Sequence, residues 1–413
     1  MHMTTGEFIR QARQSIGMTQ SELAAAARLS QPAVSSLERG GPATHNVRIM
    51  RRVARALQVP LALLVVESDE EADVDRRNFF RAGIVGSAGA AVGCGTGRAQ
   101  AASTADVGVG AADVAEITAG VNEIHELDLV VGGDRLCVLA ARQARYVRHL
   151  LDTGSYTDRT GEALATAAAE TLTAAGWVHY DADRRNEARR FYAEAVQTAN
   201  EAGDGVSAAH ALMNSSVIDL DTAGLVVGGG SARHSRPRNA AHLAQAAQRA
   251  ARRAGGPKVR ALAALREAQA QGVIDKKAMG QAISRAYRAL DSGRGFDPEW
   301  VWLPETELNG LIGISHMFAG DYKQAERHLQ SAIDSAASWP REQVSWQLYL
   351  AHSYLASGDP AQACGLLNDN ALTAQSICST RMQRKLEAIT AAISPYSGVP
   401  EVREFLDSQH GRL

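Results

Sequence analysis

The 413-residue chain is 45% hydrophobic and nearly charge-balanced, with 43 Lys and Arg against 45 Asp and Glu. This excludes disorder throughout, and net charge by itself points to no polyanionic partner. No run approaches 18 consecutive apolar residues, so no membrane-spanning helix is expected. The four cysteines (Cys94, Cys137, Cys364, Cys378) form no C-x-x-C pair and no zinc-like spacing with histidine, which fits a reducing cytoplasm.

Charge is unevenly distributed: residues 1–67 hold eight Arg and four Glu, a net of +4, and the remainder is acidic. Within this basic segment, Met18 to Gly40 carries the signals of two short helices joined by a tight turn. Thr19 and Glu22 are spaced for a capping box, and Met18 and Leu23 for a hydrophobic staple. After a turn at Ala27 to Leu29, Ser30 is a good N-cap, Pro32 falls in the first turn, and Gly40 ends the second helix. At about 100° per residue, Ala33, Val34 and Leu37 share an inner side, while Gln31, Pro32, Ser35 and Ser36 point away. A short polar face of this kind can lie against base edges in a major groove, or it can be an ordinary solvated helix face.

These residues resemble the helix-turn-helix domain of lambda-repressor and Cro-type (XRE) regulators over residues 5–67. The resemblance implies a five-helix DNA-binding domain that meets a double-stranded operator as a homodimer. It makes Gln20 a phosphate anchor and sets Gln31, Pro32 and Ser36 at base-reading positions, with Ser35 and Arg39 completing the DNA-facing set. Arg28 stands where the family usually has a turn glycine, which strains a left-handed backbone but adds a candidate phosphate contact. Arg13 and Glu38 occupy the places of an internal ion pair. The loop "GPATHN" after Gly40 lacks the basic residues that some relatives place on the DNA backbone. Apolar Val47, Val53, Leu57, Leu61 and Leu64 close the domain at about residue 67.

An acidic stretch, Glu67 to Asp75, follows and marks a boundary. Asp75 to Gly95, "DRRNFFRAGIVGSAGAAVGCG", looks like a twin-arginine export signal with a poor lipoprotein-type cysteine box. A folded basic domain precedes it, so residues 68–106 are expected to be a linker or docking helix, the alternative being export. The "GCGTG" within it is no phosphate loop, because no GKS or GKT follows.

Residues 107–413 read as helix almost throughout, which makes the chain all-α. A period of about 34 to 38 residues links "AAGWVHYDADRRNEARRFYAEA", "GISHMFAGDYKQAERHLQSA" and "LAHSYLASGDPAQACGLL". These resemble tetratricopeptide repeats. Gly176, His179, Ala188, Tyr192 and Ala195 take the signature places in one unit. Gly313, His316, Ala325, Leu329 and Ala332 take them in another, and Ala351, Tyr354, Ala363 and Leu367 in a third. Two weaker units have second helices near 239–254 and 276–291, and a loop from Gly224 to Arg238 lengthens the first. Stacked helix pairs form a solenoid whose first helices line one face. The residues expected to bind a ligand there are Glu170, Trp177, His210, Asn214, Glu307 and Asn309. Each asparagine could equally bond helix to helix. Trp300 and Trp302 are expected at a helix start, packing on the preceding unit or rimming a ligand. The charges of "EIHELD", Glu123 to Asp128, are expected to be solvated.

The whole-chain arrangement looks like the peptide-sensing quorum regulators of Gram-positive bacteria. It looks closer still to a group in high-GC bacteria with a similar "RRNFFRAG" stretch. The expectation is a cytoplasmic, ligand-responsive transcription regulator whose partners are promoter DNA and a peptide or small-molecule effector. No cofactor, metal, membrane partner or catalytic set is expected. The alternative is a tetratricopeptide interaction scaffold that sequesters a regulatory protein.

Overall fold

In the N-terminal segment, local signals place four helices: α1 (Thr5–Ser15), α2 (Gln20–Ala26), α3 (Gln31–Glu38) and α4 (Val47–Leu57). The computed structural model describes residues 5–15, 17–41, 44, 47–57, 64, 107–220, 236–298, 300–369 and 379–410. The fifth helix, apart from Leu64, lies outside these residues. So do Leu61, the acidic stretch, the export-like segment with Cys94, most of the loops after Gly40 and Leu220, and Cys378. The contacts divide the chain into two compact units, Met1–Gly120 with Val138–Gly161, and Val121–Cys137 with Glu162–Leu413.

In the first unit the expected caps form. The Thr19 hydroxyl accepts from the Glu22 amide at 3.2 Å, and the Glu22 carboxylate accepts from the Thr19 amide at 2.6 Å. Ser30 accepts from the amide of Ala33 at 3.3 Å. Gly40, at φ 74°, ends α3 in the left-handed conformation. Leu23, Val34, Leu37, Val53, Leu57 and Leu64 are buried in one cluster with Ile9 and Met50. A short parallel pairing of β1 (Val107–Gly108) with β2 (Gly154–Ser155) is the departure from all-helical structure among the described residues.

Long helices follow: α5 (Ala111–Val131), α6 (Cys137–Thr153), α7 (Asp158–Asp181), α8 (Arg185–Glu201), α9 (Gly205–Leu220), α10 (Pro237–Ala254) and α11 (Pro257–Ile274). After them come α12 (Lys276–Asp291), α13 (Glu305–Phe318), α14 (Tyr322–Asp334), α15 (Pro340–Ala356), α16 (Pro360–Asp369), α17 (Thr380–Ile393) and α18 (Pro400–His410). In the second unit each helix from α8 to α15 packs on its successor, except that α12 and α13 are joined by the Trp300–Pro304 segment. Every second helix also meets the next of its own kind: α9 on α11, α11 on α13, α13 on α15. This is a helical-repeat array.

The two sets of helices differ in sequence character because they differ in burial. Helices α7, α9, α11, α13 and α15 are buried on nearly all sides, and polar residues such as Glu170, His210, Arg266, Glu307 and Arg341 sit within them. The intervening helices are amphipathic, α12 burying only Met279, Ala282 and Ala286. Small residues set the helix spacing. A Cβ on Gly176 would lie 2.6 Å from the Tyr192 ring, and one on Gly313 would lie 2.7 Å from Leu329. The aromatic or leucine of the second helix thus fills the space left by the missing side chain of the first.

Two substitutions should separate this packing from helix propensity. Gly176→Val forces a side chain into the Tyr192 ring and should cost roughly 2–3 kcal/mol. Gly280→Ala, exposed in α12 with nothing near its Cβ, should stabilise by about 0.5–1 kcal/mol. Urea unfolding followed by circular dichroism reads both, and equal effects would refute the close-approach account.

Candidate functional site

The first site begins at a buried ion pair. Arg13, on α1, donates through Nε to Glu38 Oε1 at 2.5 Å, through Nη2 to Oε2 at 3.2 Å, and through Nη1 to the Met18 carbonyl at 2.7 Å. Glu38 is 3% exposed. Burial alone would raise its pKa, but hydrogen bonds from Arg13 and Gln20 and the charges of Arg13 and Arg10 outweigh burial and hold the carboxyl below its usual range. The chain of bonds continues outward. Gln20 Nε2 donates to Glu38 Oε2 at 2.8 Å, and Gln31 Nε2 donates to Gln20 Oε1 at 2.8 Å.

The ion pair therefore fixes α1 to α3 and also orients Gln31, through Gln20, at the exposed start of α3. One amide hydrogen and the oxygen of Gln31 remain for a further partner. Pro32 is exposed beside it, and Ser35 and Ser36 are half-buried. The Ser36 hydroxyl lies directly over Gly41, where a Cβ would come within 2.1 Å of its Oγ. Arg39 is exposed and donates to the Ser35 carbonyl at 3.1 Å. Arg28 takes φ 53°, the left-handed turn conformation that a non-glycine residue adopts at a cost of about 1–2 kcal/mol. Its side chain is exposed, and its carbonyl accepts from Arg52 at 3.4 Å.

The second site is a half-open cavity of about 400 Å³ in the helical array. Aromatic rings make much of its wall: Trp177, Tyr180, Trp300, Trp302, Trp346 and Tyr349. The segment carrying Trp300 and Trp302 precedes α13 instead of starting it, because Pro304 disfavours helical backbone at Leu303 and the helix begins at Glu305. Trp300 stacks on His210, with ring centroids 3.9 Å apart and planes within 8°.

Charged groups form the cavity floor and the layer directly beneath it, where Asp181 lies. Asp181, fully buried, accepts from Arg341 Nη2 at 2.8 Å, from Arg381 Nη2 at 2.8 Å and from the Gly133 amide at 2.9 Å. Burial opposes its charge, yet the two guanidiniums and the Gly133 amide hold its pKa well below normal. Arg341, 1% exposed, also pairs with Glu342 and lies 3.6 Å from Asp128 Oδ2. That oxygen accepts from Trp177 Nε1 at 2.7 Å. Arg266 faces Glu307 at 3.5 Å. Burial is the main influence on the two remaining carboxyls, raising Asp128 to about 6 and Glu307 to about 7. Asp128 Oδ1, Arg266 Nε and Arg341 Nε have no hydrogen-bond partner among the described residues.

Of the expected ligand residues, Trp177, His210, Asn214 and Glu307 all line this cavity. Glu170 stands behind it, accepting from His210 Nδ1 at 2.7 Å. Asn309 is not among the lining residues. Its oxygen meets His328 Nδ1 at 2.9 Å and its amide donates to the Glu305 carbonyl, a helix-to-helix role. Asp128 corrects the expectation of solvated charge in Glu123 to Asp128, since it is 4% exposed. Arg266, Arg341, Glu342 and Trp346 line the cavity as well, outside the expected set. The signal of the first three in the sequence is charged residues at inner positions of otherwise apolar helices. Among the described residues no three His, Cys, Asp or Glu are placed to hold a metal ion, and no helix is long and apolar enough to cross a membrane.

Residues 9–64 match the helix-turn-helix family. This segment is the DNA-binding domain of a transcription regulator. No curated protein matches the chain.

The cavity carboxyls have a measurable consequence. Asp128 and Glu307 bind protons more tightly in the folded state than in the unfolded chain, whose carboxyls titrate near about 4. Their contribution to stability is therefore fully present at the acid end and is lost as pH rises from about 4 to about 7. Burial holds the imidazoles of His125 and His352 down to about 3 and about 4, and these act with the opposite sign over the same window, so the carboxyl contribution is read as the difference between parent and variant melting profiles. Asp128→Asn and Glu307→Gln should each make the slope of melting temperature against pH more positive than the parent's between about pH 4 and 7, and an unchanged profile in both variants would contradict the assigned shifts.

Proposed function

We propose that this chain is a ligand-responsive transcription regulator that binds promoter DNA as a homodimer and an effector in its array of tetratricopeptide-like repeats. The observation that carries the effector half is the cavity itself, with rings on its walls and buried polar atoms on its floor that lack partners. Buried polar groups left unpaired cost free energy, so a cavity retaining them suits a molecule that pairs them. The DNA half rests on the helix-turn-helix match and on a recognition-helix glutamine held in place from beneath. An effector that lowers DNA affinity must itself bind the DNA-bound form more weakly by the same factor.

The operator is expected to be an inverted repeat with half-sites about one helical turn apart or a multiple of it. Gln31→Ala should cost about 1–3 kcal/mol at one base position in each half-site. Because Gln20 orients Gln31, Gln20→Ala should damage discrimination at that same position. The double variant should then fall short of additivity by about 0.5 kcal/mol or more. Selection from random duplexes followed by anisotropy titrations measures all three. Variants that bind selected and random DNA just as the parent does would sink the assignment. For the effector half, a compound held at about a hundred times its dissociation constant should stabilise the protein by about 2.7 kcal/mol and change operator affinity.

A further inference from the structure

We propose that the cavity takes a compact amine, a cation with a flat aromatic or apolar body, and that its ammonium sits on Asp128 with Glu307 as the second carboxylate. This rests on the effector reading above and narrows it to a chemical class. Charge, orphaned atoms and wall chemistry each support it.

Charge comes first. The floor and the layer beneath it hold four carboxyls (Asp128, Asp181, Glu307 and Glu342), three guanidiniums (Arg266, Arg341 and Arg381) and the Lys385 ammonium, which lies over the Tyr349 ring at 3.6 Å. Asp181 is shared by Arg341 and Arg381, and Glu342 is taken by Arg341. Arg266 reaches Glu307 only at 3.5 Å, and Arg341 reaches Asp128 only at 3.6 Å. Of the four carboxyls, Asp128 and Glu307 are thus the two without a guanidinium at close hydrogen-bond distance, and a carboxylate so placed in a desolvated site takes up either a proton or a cation. Burial first, and the neighbouring charges second, set the raised proton affinities of Asp128 and Glu307. Arg341, Asp181, Glu342 and Trp177 act on the first, and Arg266, Glu342 and Arg341 on the second.

The orphaned atoms agree. Asp128, more than nine-tenths buried and part of the cavity lining, has Oδ1 without a partner, an acceptor awaiting a donor. Arg266 Nε and Arg341 Nε are donors awaiting an acceptor. An amine that also carries a carbonyl or hydroxyl oxygen satisfies both kinds, whereas a carboxylate would meet Asp128 and Glu307 as a like charge. The walls supply aromatic faces suited to a flat body and to an ammonium. A volume of about 400 Å³ suits a single small molecule in place of a long extended peptide.

The test uses four indole probes of similar shape and different charge on the full-length protein: L-tryptophanamide, tryptamine, neutral indole-3-acetamide and anionic indole-3-acetate. Tryptophanamide and tryptamine should raise the melting temperature by roughly 5 °C or more near saturation. Indole-3-acetate should give no shift. Glu307→Gln, which keeps the side-chain shape and removes the charge, should weaken tryptophanamide binding by about 10- to 100-fold in calorimetry, and Asp128→Asn should do the same. If Asp128→Asn fails to fold, the parent protein supplies a second readout. Its affinity for tryptamine, whose ammonium stays protonated throughout, should rise between pH 5.5 and 7.5, with protons released on binding. Shifts by indole-3-acetate equal to those of the amines, or no shift by either amine, would overturn the proposal. An extract fraction that changes melting and operator affinity when the amines do nothing would overturn the amine class and leave the regulator reading standing. Amines that bind without changing operator affinity would support the site and count against its regulatory role.

Discussion

Asp181 is the fixed point of the helical array. A carboxylate with no access to water is tolerable only when its charge is met and its lone pairs are filled. Here that requirement brings Arg341 from 160 residues downstream and Arg381 from 200 residues downstream onto the end of α7. The Gly133 amide approaches the same group so closely that a Cβ there would lie 2.7 Å from the Asp181 side chain. Removing the carboxylate would take from Arg341 and Arg381 the buried acceptor that they share, a change of the kind that costs about 3–5 kcal/mol.

The cavity follows from that constraint. Trp177 precedes Asp181 by one turn and so faces the same way, bonding Asp128 through its indole nitrogen. Arg341 lies over the Trp177 ring at 5.8 Å and Arg381 over Tyr180 at 5.0 Å. The guanidiniums that neutralise Asp181 are thereby held against aromatic faces, and what remains of the floor carries the unpaired atoms. Alanine-rich inner helices allow the close spacing, since each buried alanine removes bulk that would push the layers apart.

The DNA-binding domain uses a similar device on a smaller scale. Glu38 is buried, meets Arg13 from α1, and passes its remaining lone-pair capacity to Gln20 and so to Gln31. A residue whose first role is architectural thus determines the orientation of a surface amide two bonds away. The pairing of Arg13 with Glu38 was expected. The extension through Gln20 to Gln31 was not, because it depends on side-chain directions across the turn between two helices.

The N-terminal helices and the alternating pairs of the array were legible in the sequence because their signals are local. Thr19 and Glu22 cap within one turn, Ser30 caps the next helix, and Gly176 with Tyr192 or Gly313 with Leu329 are separated by a fixed helix-turn-helix distance. Four cavity residues were also legible, since Trp177, His210, Asn214 and Glu307 follow from the repeat register. The floor was not. Asp128 belongs to a polar stretch that reads as solvated, and only Arg341 and Trp177, folded against it, show that it is buried. Asn309 could bond a ligand or a neighbouring helix until His328 settled its partner. Periodicity and capping are properties of neighbours along the chain, and these the sequence determined. Which charges meet in the interior depends on contacts between residues as far apart as 128, 181, 341 and 381. No spacing rule connects those, so the tertiary structure alone decided them.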